Sequence, residues 1–183
     1  MYILVCLLRG EIEAYRQSLI DSVYTIYGLN VVKNQNAPAH FTLKYEFDVE
    51  NIGKLSEIET FCEYFCKTHQ KSQVRIGGFL SFPPSVVFID VKPSEEAQKA
   101  FSDFIIGLRT MKWMQWGAYD AENLRFHATI AEGCGNLFNV VWKFVQGKEK
   151  YFDVWFDNIA ILNVEWSGGE LIRWNFHKIF EME

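Results

Sequence analysis

His40-Phe41-Thr42-Leu43-Lys44-Tyr45 alternates polar and apolar side chains, the period-2 pattern of a half-buried strand. Phe41, Leu43 and Tyr45 share one face, and His40, Thr42 and Lys44 share the other. The tetrapeptide His-x-Thr-aliphatic recurs 87 residues later as His127-Ala128-Thr129-Ile130, within a second strand-like run over residues 126–131. Residues i and i+2 of a strand point the same way. Each copy therefore presents an imidazole and a hydroxyl together, while Phe41, Leu43, Ala128 and Ile130 face a core. The chain has four histidines, and two of them occupy this pattern.

Working outward from the first motif, residues 2–8 read as a buried strand. From Glu11 to about Gly28 the residues Ile12, Tyr15, Leu19, Val23, Ile26 and Tyr27 recur at spacings of three and four, a helical face closed by glycine. Residues 29–39 form a polar loop before the motif. After it, residues 50–69 predict a helix with Ile52, Leu55, Ile58, Cys62, Phe65 and Cys66 inward. Residues 72–82 predict a strand with a bulge at Gly77-Gly78, Pro83-Pro84 a turn, and Val86 to Val91 a buried strand. Ser94 is a suitable N-cap for a helix that buries Ala97, Phe101, Phe104, Ile105 and Leu108. A loop over residues 112–124 leads to the second motif. A helix over 136–147 follows, then a hairpin of residues 152–165 and 170–181 around Ser167-Gly168-Gly169.

The order strand, helix, loop, His-x-Thr strand, helix, strand occurs twice. The first copy starts near Ile3, with its histidine about 37 residues on; the second starts near Phe88, with its histidine about 39 residues on. One copy alone leaves a sheet face uncovered, so a pseudo-duplicated α+β fold is expected. No linker, low-complexity tract or long charge run divides the chain, and residues 1–183 are read as one domain of two lobes.

Composition narrows the function classes. Apolar residues make up 49% and charged residues 22% of 183, an ordinary globular balance that disfavours disorder and a coiled coil, and the lack of a Gly-X-Y period excludes collagen. The net charge of −5 disfavours sequence-independent duplex binding, which rests on many Lys/Arg–phosphate contacts, but not recognition of one nucleotide or an RNA end. The apolar N-terminal run is too short to span a membrane and lacks the basic flank of a signal peptide. A cytoplasmic monomer is the expectation. Cys6, Cys62, Cys66 and Cys134 form no CxxC pair and are read as reduced thiols.

Two imidazoles opposed across a cleft suit phosphodiester chemistry. In-line displacement at phosphorus needs a base on the attacking oxygen and an acid on the leaving oxygen, and histidine takes both forms near neutrality. The Thr42 and Thr129 hydroxyls are placed to donate to non-bridging oxygens. This arrangement requires no metal or cofactor, and the sequence has neither an HExxH motif nor a carboxylate cluster.

With these motifs the chain resembles the two-histidine (2H) phosphoesterase superfamily, the LigT-like group that includes the bacterial 2′-5′ RNA ligases and RNA 2′,3′-cyclic phosphodiesterases. His40-Phe41-Thr42-Leu43 with Lys44-Tyr45-Glu46-Phe47 looks like the family's first motif, and His127-Ala128-Thr129-Ile130-Ala131-Glu132 like its second. The closing apolar strands with Trp174 also look familial. The chain differs in having Ala39, Phe126 and Glu46 where the family often has proline. The resemblance implies a bilobal LigT-like fold, two antiparallel-rich sheets with flanking helices around a central cleft. It also implies one histidine as general base, the other as general acid, and hydroxyls that bind phosphate. Carried onto this sequence, the catalytic set is His40, Thr42, His127 and Thr129. The implied reaction is hydrolysis of a 2′,3′-cyclic phosphate or 2′-5′ linkage on an RNA end or small nucleotide. The alternatives are the reverse 2′-5′ ligation and non-catalytic binding of nucleotides.

Around this set, Lys44 is a candidate phosphate contact by sharing a face with His40. Trp113, Trp116 and Tyr119 are candidate base-stacking residues, loop burial being the alternative. Phe79 and Phe82 are read as core, with the cleft wall as the alternative. Cys62, Cys66 and His69 are read as two core thiols and a surface histidine rather than a metal site, and His177 as structural.

Overall fold

The structure, a computed structural model, describes residues 1–168 and 170–183. These form β1 (Tyr2–Leu7), α1 (Glu11–Tyr27), α2 (Val31–Gln35), β2 (His40–Phe47), α3 (Ile52–Thr68), β3 (Ser72–Phe82), β4 (Val86–Pro93), α4 (Glu95–Leu108), β5 (His127–Ala131), α5 (Phe138–Val145), β6 (Tyr151–Phe156), β7 (Asn158–Ser167) and β8 (Glu170–Glu181). The strands make two antiparallel sheets, ordered β2-β1-β7-β8 and β5-β4-β3-β6. The sheets correspond position by position. Each His-x-Thr strand is an edge, paired with the strand that opens its copy of the repeat, β1 or β4. The α+β class is thus the one the repeat predicts, and the two antiparallel sheets are those the family resemblance implies.

Local chemistry accounts for the elements. Glu11 and Glu13 occupy the first turn of α1, where carboxylates favour the helix dipole, and Gly28 ends it in the left-handed region (φ 72°) with its N–H on the Tyr24 carbonyl. The Ser94 hydroxyl accepts from the Ala97 N–H at 3.1 Å, the cap expected for α4. The β3–β4 register shifts between Ile76 and Phe79, which places the bulge at Gly77-Gly78. A side chain at Gly77 would collide with the Lys150 carbonyl beside β6.

A core lies between the sheets and their helices. Leu4, Cys6, Phe41, Leu43, Ile159 and Ile161 of one sheet join Val74, Ile76, Val87, Ile89, Ala128 and Ile130 of the other. The opposite face of the first sheet carries Ile3, Val5, Leu7, Ala160, Leu162 and Val164 under Leu171 and Trp174. Hydrophobic burial holds both layers, at about 25 cal/mol per Å² of apolar surface.

The structure corrects several expectations. The segment 152–165 is not one hairpin strand. It breaks at Asp157, and β6 belongs to one sheet while β7 belongs to the other. Asn158 makes the switch: its side chain accepts from the Leu7 N–H at 2.9 Å and donates to the Leu7 carbonyl at 3.1 Å, completing the β1 ladder from a fully buried position. The loop 29–39 contains α2. Ile26 and Ile52 are exposed, whereas Arg16 belongs to the buried face of α1. The turn at Ser167-Gly168 joins β7 and β8, and Gly169 lies outside the described residues.

Candidate active site

β2 and β5 bring His40, Thr42, His127 and Thr129 to the wall of one cleft of about 550 Å³. Strand pairing fixes which way these side chains face. His40 and Thr42 lie opposite Leu7 and Val5 of β1, the strand residues that face away from the main core. His127 and Thr129 lie opposite Asp90 and Phe88 of β4. The intervening Phe41 and Ala128 are buried in that core, where the Phe41 ring meets Phe126 edge-on at 5.2 Å.

The two histidines are held alike. His40 Nδ1 lies 2.7 Å from the Pro38 carbonyl, and His127 Nδ1 lies 2.7 Å from the Arg125 carbonyl. A carbonyl only accepts, so each Nδ1 carries hydrogen and each neutral ring keeps its lone pair on Nε2. The acceptor is the residue two before the histidine in both copies, a symmetry built into the backbone entering each strand. The His40 ring packs against Trp174, centroids 5.1 Å apart. The His127 ring packs against Phe82 at 5.4 Å and Phe88 at 4.9 Å. Phe82 thus belongs to the cleft wall, whereas Phe79 belongs to the core.

Burial pushes the His40 imidazolium down to about 4, helped by the Arg16 cation and opposed by the Pro38 hydrogen bond. Burial also lowers His127, against the Arg125 carbonyl bond. Both rings are therefore biased toward the neutral form in the ligand-free protein. Arg16, Glu46, Arg125 and Glu132 bring charge to the same cleft. Arg125 lies 3.7 Å from Asp90.

The outlying candidates separate. Tyr119 lines the cleft mouth with its ring largely in solvent. Lys44 does not reach the cleft. The β1–β2 register shifts between Leu4 and Val5, so Lys44 pairs with Leu4 on the core side instead of continuing the face of Thr42. Its ammonium is fully buried, 2.8 Å from Asp120. After the second shift it is Tyr45 and Glu46 that line the cleft. Trp113 donates from Nε1 to Glu57 at 2.7 Å under Lys54, and Trp116 packs by Lys44 and Arg109; neither is part of the cleft wall.

Asp120 organises the loop that bears Tyr119. It accepts from Lys44 Nζ, from the Tyr45 N–H at 2.9 Å and from the Gly117 N–H at 2.7 Å. Sequence reading missed Asp120 and Arg16 because isolated charged residues carry no periodic signal. Cys62 and Cys66 are buried, and His69 stacks on Phe65 at 3.8 Å. His177 meets Glu59 at 2.7 Å. Among the described residues no cluster of His, Cys, Asp and Glu is arranged to hold a metal ion, and no helix is long and apolar enough to cross a membrane.

Comparison with known proteins agrees with this fold. The chain is similar in fold to TT0787 of Thermus thermophilus (TM-score 0.66, 12% identity, covering 99% of this chain and 97% of that one). It is also similar to E. coli LigT complexed with NADP+ (TM-score 0.61, 13% identity, 99% and 96%). Kluyveromyces marxianus Usb1 shares the fold at TM-score 0.52 and 12% identity, over 93% of this chain and 95% of that one. A search of curated proteins by sequence finds no match. The family model of the 2′-5′ RNA ligase superfamily matches residues 8–165, a span that includes both His-x-Thr strands. The chain belongs to the 2′-5′ RNA ligase superfamily.

Proposed function

We propose that the protein is a metal-independent phosphodiesterase that opens a 2′,3′-cyclic phosphate, or cleaves a 2′-5′ phosphodiester, on an RNA end or small nucleotide. The observation that carries this reading is the pairing across one cleft of two His/Thr sets, each histidine fixed through Nδ1 with Nε2 left for chemistry. Among the described residues neither threonine hydroxyl has a protein hydrogen-bond partner, so both are available to non-bridging phosphate oxygens.

In the proposed reaction His40 is the base and His127 the acid. His40 is pushed down to about 4 and so stands as the free base, with its Nε2 lone pair open, across the physiological range. His127 is the ring with the milder environment, and a bound phosphate anion favours its protonation. His40 Nε2 takes a proton from water as its oxygen attacks phosphorus. The bond from phosphorus to one ribose oxygen breaks on the opposite side, and His127 Nε2–H protonates that oxygen. The product is a phosphomonoester with a free hydroxyl beside it, and one proton has passed from His127 to product while one has entered His40. Proton exchange with solvent resets the pair.

The cleft accommodates a mononucleotide-sized ligand, within the usual range of roughly 300–1,000 Å³ for small-molecule sites. E. coli LigT, similar in fold, is known in complexes with 3′-AMP and with phosphate. Tyr119 at the mouth supplies an aromatic face for a base.

The test is turnover of a panel of 2′,3′-cyclic nucleotides and a 2′-5′-linked dinucleotide in excess EDTA, with wild type beside His40→Ala and His127→Ala. Turnover that survives EDTA and drops by roughly 10²–10⁴-fold in either variant is expected. Full activity in either variant overturns the proposal.

A further inference from the structure

Arg16 is the least expected residue in the cleft wall. It sits on α1, is 4% exposed, and still lines the space that both histidines face. Its Nε donates to the Thr129 carbonyl at 2.9 Å, and one terminal nitrogen lies 3.4 Å from the Ala37 carbonyl. One carbonyl belongs to the second catalytic strand; the other belongs to the segment that enters the first. The guanidinium therefore spans the two halves of the site at the seam between the sheets.

Two carbonyls do not satisfy this side chain. A guanidinium has five N–H donors and a full positive charge. Among the described residues Arg16 forms no ion pair. The contrast with its neighbours is informative: Lys44 has Asp120, and Arg125 has Asp90. Glu13, one turn back on α1, acts on Arg16 only at longer range and makes no ion pair with it, so the buried guanidinium has no carboxylate in direct contact, an arrangement that costs stability and that a bound anion would relieve. Burial pulls the Arg16 guanidinium down to about 10, which still leaves it charged at neutral pH.

We infer that Arg16 is a further anion-binding residue of the cleft, beside the two threonine hydroxyls. Its remaining N–H groups donate to the non-bridging oxygens of the substrate phosphate, and the Thr129 and Ala37 carbonyls hold it in place for them. The inference rests on the cleft being a phosphate site and goes beyond the two His/Thr pairs. It also gives the cleft its selectivity for charge. One buried cation, with Arg125 offset by Asp90 and with Glu46 and Glu132 on the same wall, suits a ligand with a single phosphodiester and opposes extended polyanions. The same cation faces His40 and is among the influences that keep that ring neutral. Other groups that bear on His40 are the Pro38 carbonyl, His127 and the Trp174 ring. A phosphate bound to Arg16 offsets the cation, so occupancy of the site and the basicity of His40 rise together.

The probe is inorganic phosphate, titrated into the intact chain at pH 7 and followed by NMR of the Arg Nε–H and histidine ring signals. Saturable binding that shifts the Arg16 Nε–H signal is expected in wild type. Arg16→Met, folded, is expected to bind roughly 10- to 100-fold more weakly, the value of losing a charge-assisted contact, with Arg16→Lys between the two. A folded Arg16→Met protein that binds phosphate as wild type does overturns the inference, as does an Arg16 signal in wild type that stays still at saturation. If Arg16→Met does not fold, the wild-type signal and Arg16→Lys decide. Phosphate binding through Arg16 without turnover of any nucleotide upholds this inference and defeats the hydrolytic reading. Turnover without phosphate binding in wild type does the reverse.

Discussion

Removing the Asp120 carboxylate strips three partners at once from an interior site. Lys44 and Asp120 are 0% and 2% exposed in their side chains and 2.8 Å apart. The same carboxylate accepts the backbone N–H groups of Tyr45 and Gly117. Asp120→Ala leaves a buried ammonium without its counter-charge, a loss of about 3–5 kcal/mol. It also orphans two amides, each worth about 1–3 kcal/mol where water cannot replace the acceptor. These losses overlap, because a loosened loop lets water in, so a total of about 4 kcal/mol is expected. For a domain of this size that corresponds to roughly 8–16 °C in Tm. Urea unfolding of wild type, Lys44→Met, Asp120→Asn and the double variant isolates the ion pair from the amide contacts, since asparagine retains an acceptor oxygen. A coupling of about 2–3 kcal/mol is expected, with the double variant more stable than Asp120→Asn alone. Asp120→Ala within about 1 kcal/mol of wild type, or a coupling below about 0.5 kcal/mol, refutes the assignment of Asp120 as the organiser of this loop. Turnover gives a second readout: release of the loop bearing Tyr119 is expected to raise KM more than it lowers kcat.

Three other outcomes follow from the geometry. The pH profile of kcat/KM is expected to be a bell with its maximum on the acid side of about 6.5 and its lower limb near 4, because both free histidines are shifted downward; a maximum above about pH 7.5 contradicts this. His40 makes stability sensitive to acid: its folded pKa of about 4 lies below the unfolded value, so the unfolded chain takes the proton first as pH falls below about 6.5. The contribution of this group is complete above that point and lost progressively toward about pH 4, at most about 3 kcal/mol, and His40→Gln is expected to flatten that part of the stability curve measured by urea titration. Asn158→Ala leaves both the N–H and the carbonyl of Leu7 unpaired at a fully buried position, and a loss of roughly 2–4 kcal/mol in urea unfolding is expected. A loss under about 0.5 kcal/mol would show that the sheet switch at Asp157 does not depend on this side chain.

The two His/Thr pairs, the duplicated element order and the α+β class are legible in the chain because each depends on short-range periodicity. A strand's alternation places His40 with Thr42 and His127 with Thr129 wherever the strand ends up, and the helix faces of Ala97 to Leu108 follow from spacings of three and four. The face of Lys44 is another matter. Alternation assigns it to the side of His40, but an extra residue in β2 opposite β1 turns it inward, and an irregularity of that kind depends on the partner strand rather than on β2's own residues. Arg16 shows the same limit from the helix side: a charged residue between apolar ones reads as solvent-facing until β5 and the segment that leads into β2 place carbonyls against it. Asn158 divides what looks like one continuous strand because its amide mimics a backbone pair for Leu7, 151 residues away in sequence. Local pattern therefore determines which groups stand together on an element. Which elements face one another, and so which buried charges find partners and which remain open to a ligand, is decided only when the two sheets close on a shared cleft.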